Sequence, residues 1–326
     1  MHACVDIGGT KIAVSLAQPG SQKLVHRRAE PTEKQGRPDA VAQQILRLLD
    51  AACGDAGIDA AAIERVGVSS CGPFVLKDGL VELAAPNICG GIAGKASGLP
   101  NDWTTAPIEA PLRKRFKQVR VENDCVAALE AERRWGALRG VDHCAYVTWS
   151  TGIGMGLCVD GRILRGKNGN AGHGGHTFVS DDDRQALCGC GNHGDVEALV
   201  AGIAIGRRFG ARGWNDAPAL LEAAQAGDAD ALAIVDGLCR VMGRALYNLV
   251  ALLDMQRISL GGSVFWHHRG FLLPKLQAHV SGHFPALTRG AELVAAGLQD
   301  KVGDYAALAL VFEGFEEAAP PPVHVL

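Results

Sequence analysis

Long apolar runs are absent from this chain of 326 residues. No stretch approaches the roughly 18 consecutive apolar residues that span a bilayer. The opening M-H-A-C-V-D-I-G-G-T also lacks the basic and then apolar segments of a secretion signal, so a cytoplasmic protein with no membrane partner is expected. A surplus of one charge is absent too. The formal net charge of -3 leaves no electrostatic footprint for nucleic acid or an anionic membrane, and small-molecule chemistry is the expectation that remains. The third absence is a disulfide framework. Ten cysteines occur, but they are scattered, and Cys4, Cys144 and Cys158 lie in apolar, strand-like runs where a thiol serves as a small hydrophobe. They are expected to be reduced. What is present is a globular composition, 48% hydrophobic and 21% charged, in a length that suits two domains of about 100 to 200 residues each.

One stretch has an unusual make-up. Asn168 to Glu197 holds three histidines, two cysteines, four aspartates and seven glycines, which suits neither a buried core nor a plain linker. His176, Cys188, Cys190 and Asp195 offer the N, S and O donors that tetrahedral zinc accepts, with glycines to fold the backbone around an ion. The alternative is a mobile glycine loop carrying two free thiols, because C-x-C alone is weak evidence.

Along the chain, Ala3 to Ile7, Lys11 to Leu16 and Lys23 to Arg28 form a strand meander with Gly8-Gly9-Thr10 at its first bend. Val41, Ile45, Leu48, Leu49 and Ala52 then make a helical stripe over 39–53, with Gly54 as its stop. Val66 to Ser70 is strand. Residues 83–111, rich in Gly, Pro and Asn, are either functional loop or surface connection. Val119 to Glu122 is strand, and a helix opens at Asn123-Asp124 and runs to Trp135, with Glu130 and Arg134 as a surface pair. The meander then returns: Ala145 to Trp149, the turn S-T-G-I-G, Met155 to Val159, Asp160-Gly161, and Arg162 to Leu164. Two copies predict two similar lobes facing one another and an α/β class. A long helix over 228–254, the strand Arg257 to Leu260 before Gly261-Gly262, and a last helix over about 305–317 complete the pattern.

A glycine/threonine turn between strands exposes backbone N–H groups to which a phosphate can come close, and the threonine hydroxyl adds a donor. Gly8 to Thr10 and Thr151 to Gly154 both qualify. T-G-I-G-M-G is not a dinucleotide fingerprint, since it runs into a strand where that motif opens a helix. Asp6, just before the first turn, is placed to hold nucleotide-bound magnesium through water. Asn123-Asp124 is either a helix cap or a ligand-binding pair at the C-terminal end of a strand.

Together these pieces resemble the ROK family of sugar kinases and sugar-responsive repressors in the actin-like ATPase superfamily. The resemblance covers essentially the whole chain. It rests on D-I-G-G-T-K at 6–11, E-N-D-C-V-A-A-L-E-A-E at 122–132, S-T-G-I-G at 150–154, A-G-H-G-G-H at 171–176, C-G-C-G-N-H-G-D-V-E at 188–197 and L-G-G at 260–262. It implies a two-lobed actin-like (ribonuclease H-like) fold: a first lobe of residues 1–120 plus a last helix within about 305–326, and a second of 121–304 with a metal-binding loop at 168–197. It further implies ATP with magnesium, a nucleotide–magnesium site of Asp6, Gly8, Gly9, Thr10, Lys11, Thr151, Gly152 and Gly154, and adenosine near Gly261 and Gly262. Asp124 would be the general base, and sugar hydroxyls would meet Asn87, Asn123, His173, His176 and Glu197. The expected assembly is a homodimer.

The chain departs from the family pattern at three places. His173 stands where a glutamate is usual, Asp195 replaces a zinc-ligand cysteine, and Gly91 stands near a missing tryptophan. Aspartate is a competent zinc ligand, so structural zinc on His176, Cys188, Cys190 and Asp195 is expected, with His193 a rival fourth ligand. The predicted activity is transfer of the γ-phosphate of ATP to a hydroxyl, the 6-hydroxyl by resemblance, of a hexose or N-acylated amino sugar. The alternative is a catalytically weak sugar sensor. The repressors' helix-turn-helix would precede the D-x-G-G-T strand, where this chain has nothing, so DNA binding is not expected.

Overall fold

Apolar residues at every second position build the first hairpin. Ala3, Val5 and Ile7 on β1 (His2–Ile7) and Ile12, Val14 and Leu16 on β2 (Lys11–Ala17) share one face and are buried, as a period of two demands. They pack with Ile45, Leu48 and Leu49 of the helix Ala40–Ala56. That helix passes the expected stop at Gly54, because Gly57 (φ 65°) takes the left-handed capping conformation and closes it. The computed structural model describes residues 1–93 and 98–312.

The chain forms two compact units. The first, Met1–Ala131 with Arg165–Ala171 and the residues from Gly303 onward, continues with β3 (Leu24–Pro31) and β4 (Arg65–Ser70). A small antiparallel sheet of β5 (Phe74–Lys77), β6 (Leu80–Leu83) and β7 (Ala106–Pro107) follows, and then β8 (Gln118–Asn123). The main sheet has the order β3-β2-β1-β4-β8, with β1, β4 and β8 parallel. Its second face carries the helix Val302–Ala309. Gly67 of β4 permits that approach, since a Cβ there would lie 2.7 Å from Ala307 O. This helix starts three residues before the expected position and ends at Ala309; the rest of the expected helix, beyond 312, lies outside the described residues.

The second unit, Glu132–Leu164 with Gly172–Val302, holds β9 (Cys144–Trp149), β10 (Ile153–Val159), β11 (Arg162–Ile163), β12 (Arg257–Gly261) and β13 (Glu292–Ala295) in the order β11-β10-β9-β12-β13. Here β9, β12 and β13 are parallel. The duplicated meander is therefore real down to strand order and direction. Asp228 caps the helix Ala229–Leu253 by accepting the Ala231 N–H at 2.8 Å. The buried stripe Val235, Leu238, Met242, Leu246 and Leu249 forms one core with Val147, Trp149, Ile258 and Leu260. Truncating a fully buried member such as Leu246 to alanine would cost about 2–5 kcal/mol.

One local expectation fails. Glu130 is buried rather than part of a solvated pair, because β8 places Arg120 beside it and the guanidinium donates to both its oxygens, at 3.1 and 2.6 Å.

Candidate active site

In the first unit, the predicted groups gather at the C-terminal ends of the parallel strands, where open α/β sheets hold ligands. Ile7, Ser70 and Asn123 lie side by side in register on β1, β4 and β8. The next residues along the three strands, Gly8, Cys71 and Asp124, therefore share that edge. Asp6 is half-buried, and its carboxyl is pushed up to about 7, by burial first and then by the negative charges of Asp124 and Asp304, against Lys11 and Arg27. Burial also raises the Asp124 carboxyl, opposed by hydrogen bonds from Cys125 and Asn123. Asp6 feels the charge of Asp124, and both carboxyls are held closer to neutrality than free aspartates.

Asn123 and Asp124 do cap their helix: the Cys125 N–H donates to Asn123 Oδ1 at 3.0 Å and to Asp124 Oδ1 at 2.8 Å. The turn at Gly8–Thr10 is tied down by Gly8 N–H to Lys11 O at 2.9 Å and by the Thr32 hydroxyl to Gly8 O at 2.7 Å. Among the described residues the N–H groups of Gly9 and Thr10 carry no hydrogen bond, and Thr10 and Lys11 are exposed. Asn87 comes to the same turn, its amide nitrogen so close to Gly9 that a Cβ there would lie 2.2 Å away.

Sequence reasoning missed Cys71. It follows β4 between the two carboxylates, and burial, then Asp124 and Asp6, push its thiol up. Its Sγ lies 4.0 Å from Asn87 Oδ1. The only signal in the sequence was C-G-P directly after an apolar strand.

In the second unit, the loop 172–176 lies along β10 with no room for side chains at its glycines. A Cβ on Gly172 would stand 2.0 Å from Met155 O, and one on Gly175 2.4 Å from Ile153 O. His173 and His176, both half-buried, project from this loop with ring centroids 6.1 Å apart. His176 Nδ1 faces Asp195 Oδ2 at 3.2 Å and Cys188 Sγ at 3.7 Å, and Cys190 Sγ reaches Asp195 Oδ2 at 3.6 Å. Asp195, fully buried, uses its other oxygen to cap the helix Val196–Val200 through Ala198 N–H at 2.8 Å. It holds the His176 imidazole above its ordinary value despite burial. Burial pushes the Asp195 carboxyl up, but His176 and Ala198 outweigh that and bring it below the usual range.

These four residues meet the geometric demand of zinc. Bonds of about 2.0–2.3 Å place tetrahedral donors roughly 3.3–3.8 Å apart, and the three separations above fall at or near that range, with all four ligand atoms within 4.8 Å of one another. His193 is exposed and outside the group; its backbone pairs with Leu187.

Glu197 lies between this cluster and the turn after β9. It accepts the Ile153 N–H at 2.8 Å on Oε2 and the Cys188 thiol at 3.6 Å on Oε1. Among the described residues the N–H groups of Thr151 and Gly152 carry no hydrogen bond, while Gly154 belongs to the β9–β10 ladder. Gly261 and Gly262 are glycines for reasons internal to the sheet. A Cβ on Gly261 would meet the Tyr146 hydroxyl at 2.4 Å, and Gly262, at φ 87°, lies against Trp149 O.

Two units carrying the same five-stranded sheet, each with a glycine turn after its first parallel strand, have the fold of the actin-like ATPases. Within it the chain belongs to the ROK family, which it matches over residues 2–313. A glucokinase of Aeropyrum pernix is 30% identical over 333 residues, covering 96% of this chain and 97% of that protein. An N-acetylmannosamine kinase of Haemophilus influenzae is 30% identical over 264 residues, covering 80% and 79%. A ROK family glucokinase from Streptomyces griseus, solved in complex with glucose and AMPPNP, is 27% identical and superposes with a TM-score of 0.68 over 95% of this chain and 98% of its own. No helix among the described residues is long and apolar enough to cross a membrane.

Proposed function

We propose that this chain is an ATP-dependent carbohydrate kinase that transfers the γ-phosphate to the 6-hydroxyl of a hexose or N-acylated amino sugar. The observation that carries the reading is Asp124, a half-buried carboxyl raised by burial at the C-terminal end of β8, whose charge in turn raises Asp6 on β1. Phosphoryl transfer asks a protein mainly for positioning, charge stabilisation and removal of one hydroxyl proton. Asp124 takes that proton, and its raised carboxyl moves its basicity toward neutral pH. Asp6 would hold nucleotide-bound magnesium, whose charge would offset the negative charge of Asp124 felt at Asp6.

In the first unit the open N–H groups of Gly9 and Thr10, with Lys11, are donors for phosphate oxygens, and in the second unit so are those of Thr151 and Gly152, with the edge at Gly154. Adenosine lies near Gly261 and Gly262. Asn87, Asn123, His173, His176 and Glu197 address the sugar. His176, Cys188, Cys190 and Asp195 would hold a zinc ion, which would fix the loop from which His173 and His176 project. The eight cysteines other than Cys188 and Cys190, outside any disulfide, support a reducing, cytoplasmic setting, and exposed Leu252, Phe284 and Leu287 offer apolar surface for a homodimer.

The test is a panel of hexoses and N-acetylhexosamines assayed for ATP turnover with product identification. Phosphorylation at the 6-position of at least one sugar is the expected result. Sugar binding without turnover on any of them would replace the kinase with a sensor.

A further inference from the structure

The turn after β9 is held from below by its own unit. Ser150 O accepts the Gly202 N–H at 2.8 Å and Thr151 O accepts the Ile203 N–H at 3.4 Å, so these carbonyls face the start of the helix Gly202–Phe209. The Ile153 N–H goes to Glu197 Oε2 at 2.8 Å. Gly152 lies directly over that oxygen, 2.7 Å from where its Cβ would be. The Ser150 N–H goes to Gly152 O at 3.1 Å, so with three carbonyls and two N–H groups engaged the N–H groups left over are those of Thr151 and Gly152, and Thr151 is exposed.

A carboxylate is electrostatically a poor neighbour for a phosphate, so charge attraction cannot be its contribution here. What it supplies is geometry. Its second oxygen faces the Cys188 thiol at 3.6 Å, and its backbone sits in the first turn of a helix capped by Asp195, so the side chain that braces the turn is itself braced by the metal-type cluster.

We propose that Glu197 is a positioning residue for the nucleotide: by holding the Ile153 N–H beneath Gly152 it aims the Thr151 and Gly152 N–H groups at the phosphates. This rests on the reading of the turn as a phosphate site. It differs from a sugar-binding role because it acts when no sugar is present.

The experiment measures binding of magnesium AMPPNP by calorimetry, without sugar, to the full chain and to Glu197→Ala, Glu197→Gln, Gly152→Ala and the double variant Gly152→Ala/Glu197→Ala. Glu197→Ala should bind about tenfold more weakly, the size of one buried hydrogen bond. Glu197→Gln keeps an acceptor for Ile153 and should stay within about twofold of wild type. Gly152→Ala should also weaken binding, and the double variant should be no weaker than the worse single variant, since both disturb one contact. Wild-type affinity in both Glu197→Ala and Glu197→Gln, with sugar affinity lost, would restrict Glu197 to the sugar and overturn the proposal. Fully additive losses in the double variant would overturn it as well. Absence of nucleotide binding by the wild type would instead remove the kinase reading, and this inference with it.

Discussion

Gly8–Thr10 follows β1 as Ser150–Gly152 follows β9, in sheets of the same order and direction. Their surroundings are not the same. At the first turn, the glycine that comes too close for a Cβ is opposed by the end of an exposed asparagine, Asn87; at the second, it is opposed by Glu197, which also holds a backbone N–H. Carboxyls raised by burial, Asp124 and Asp6, the latter also by the charge of the former, stand at the edge of the first sheet. The matching position to Asp6 in the second sheet is Thr148, and a cluster of soft ligands lies near that turn instead. Duplication of a fold unit thus leaves each copy free to specialise: the first carries titrating acids, the second a braced scaffold.

The largest effect should come from the acidic edge. Asp124→Asn preserves the helix cap and removes the base, so turnover on the best sugar should fall by at least about a hundredfold, with the circular dichroism spectrum unchanged. Near-normal turnover would reduce Asp124 to a cap and erase the proposed division of labour.

Metal content tests the other copy. Protein purified without added zinc or chelator should carry about one zinc per chain. Asp195→Ala should bring that near zero, and also lose a helix cap of about 1 kcal/mol, whereas His193→Ala should leave the metal in place. A metal-free wild type of full activity would make the cluster a hydrogen-bonded loop only.

A third measurement sharpens the electrostatic contrast. Folding raises the Asp6 carboxyl from 3.8 to about 7, so between those pH values the folded protein keeps a proton that the unfolded chain has released. The associated stability is fully present below the unfolded value and is lost as pH rises through about 7. Asp6→Asn removes that dependence. Without magnesium, thermal melts should show it gaining on the order of 2 kcal/mol relative to wild type between about pH 4 and pH 8, while nucleotide-dependent magnesium binding is lost. Parallel stability profiles for the two proteins would contradict the raised carboxyl.

The smallest effect concerns specificity. Imidazole at His173 offers one acceptor and one donor when neutral, where a carboxylate offers only acceptors. His173→Glu should therefore reorder kcat/KM among glucose, mannose and the N-acetylated hexosamines by severalfold, about 1 kcal/mol per hydrogen bond exchanged. A uniform change across all sugars would leave His173 without a part in selection.

Both meanders were legible before the structure, because alternating apolar residues and glycine bends are local signals. The clustering of His176, Cys188, Cys190 and Asp195 was legible for a similar reason: its ends lie 19 positions apart in the chain, and the donor types are rare together. The carboxylate pair was only half legible. Asp6 and Asp124 were each singled out, but the influence of Asp124 on Asp6 depends on β4 pairing between β1 and β8.

By itself the sequence determined the α/β class, the repeat and the chemical types available at each strand end, since these follow from short-range periodicity and composition. Tertiary structure alone decided that Cys71 sits beside two acids, that Glu130 is buried on Arg120, that Asn87 abuts Gly9 and that Glu197 serves Ile153. Each of these joins residues brought together by strand order or by a returning loop, and no spacing along the chain encodes which strand becomes the neighbour.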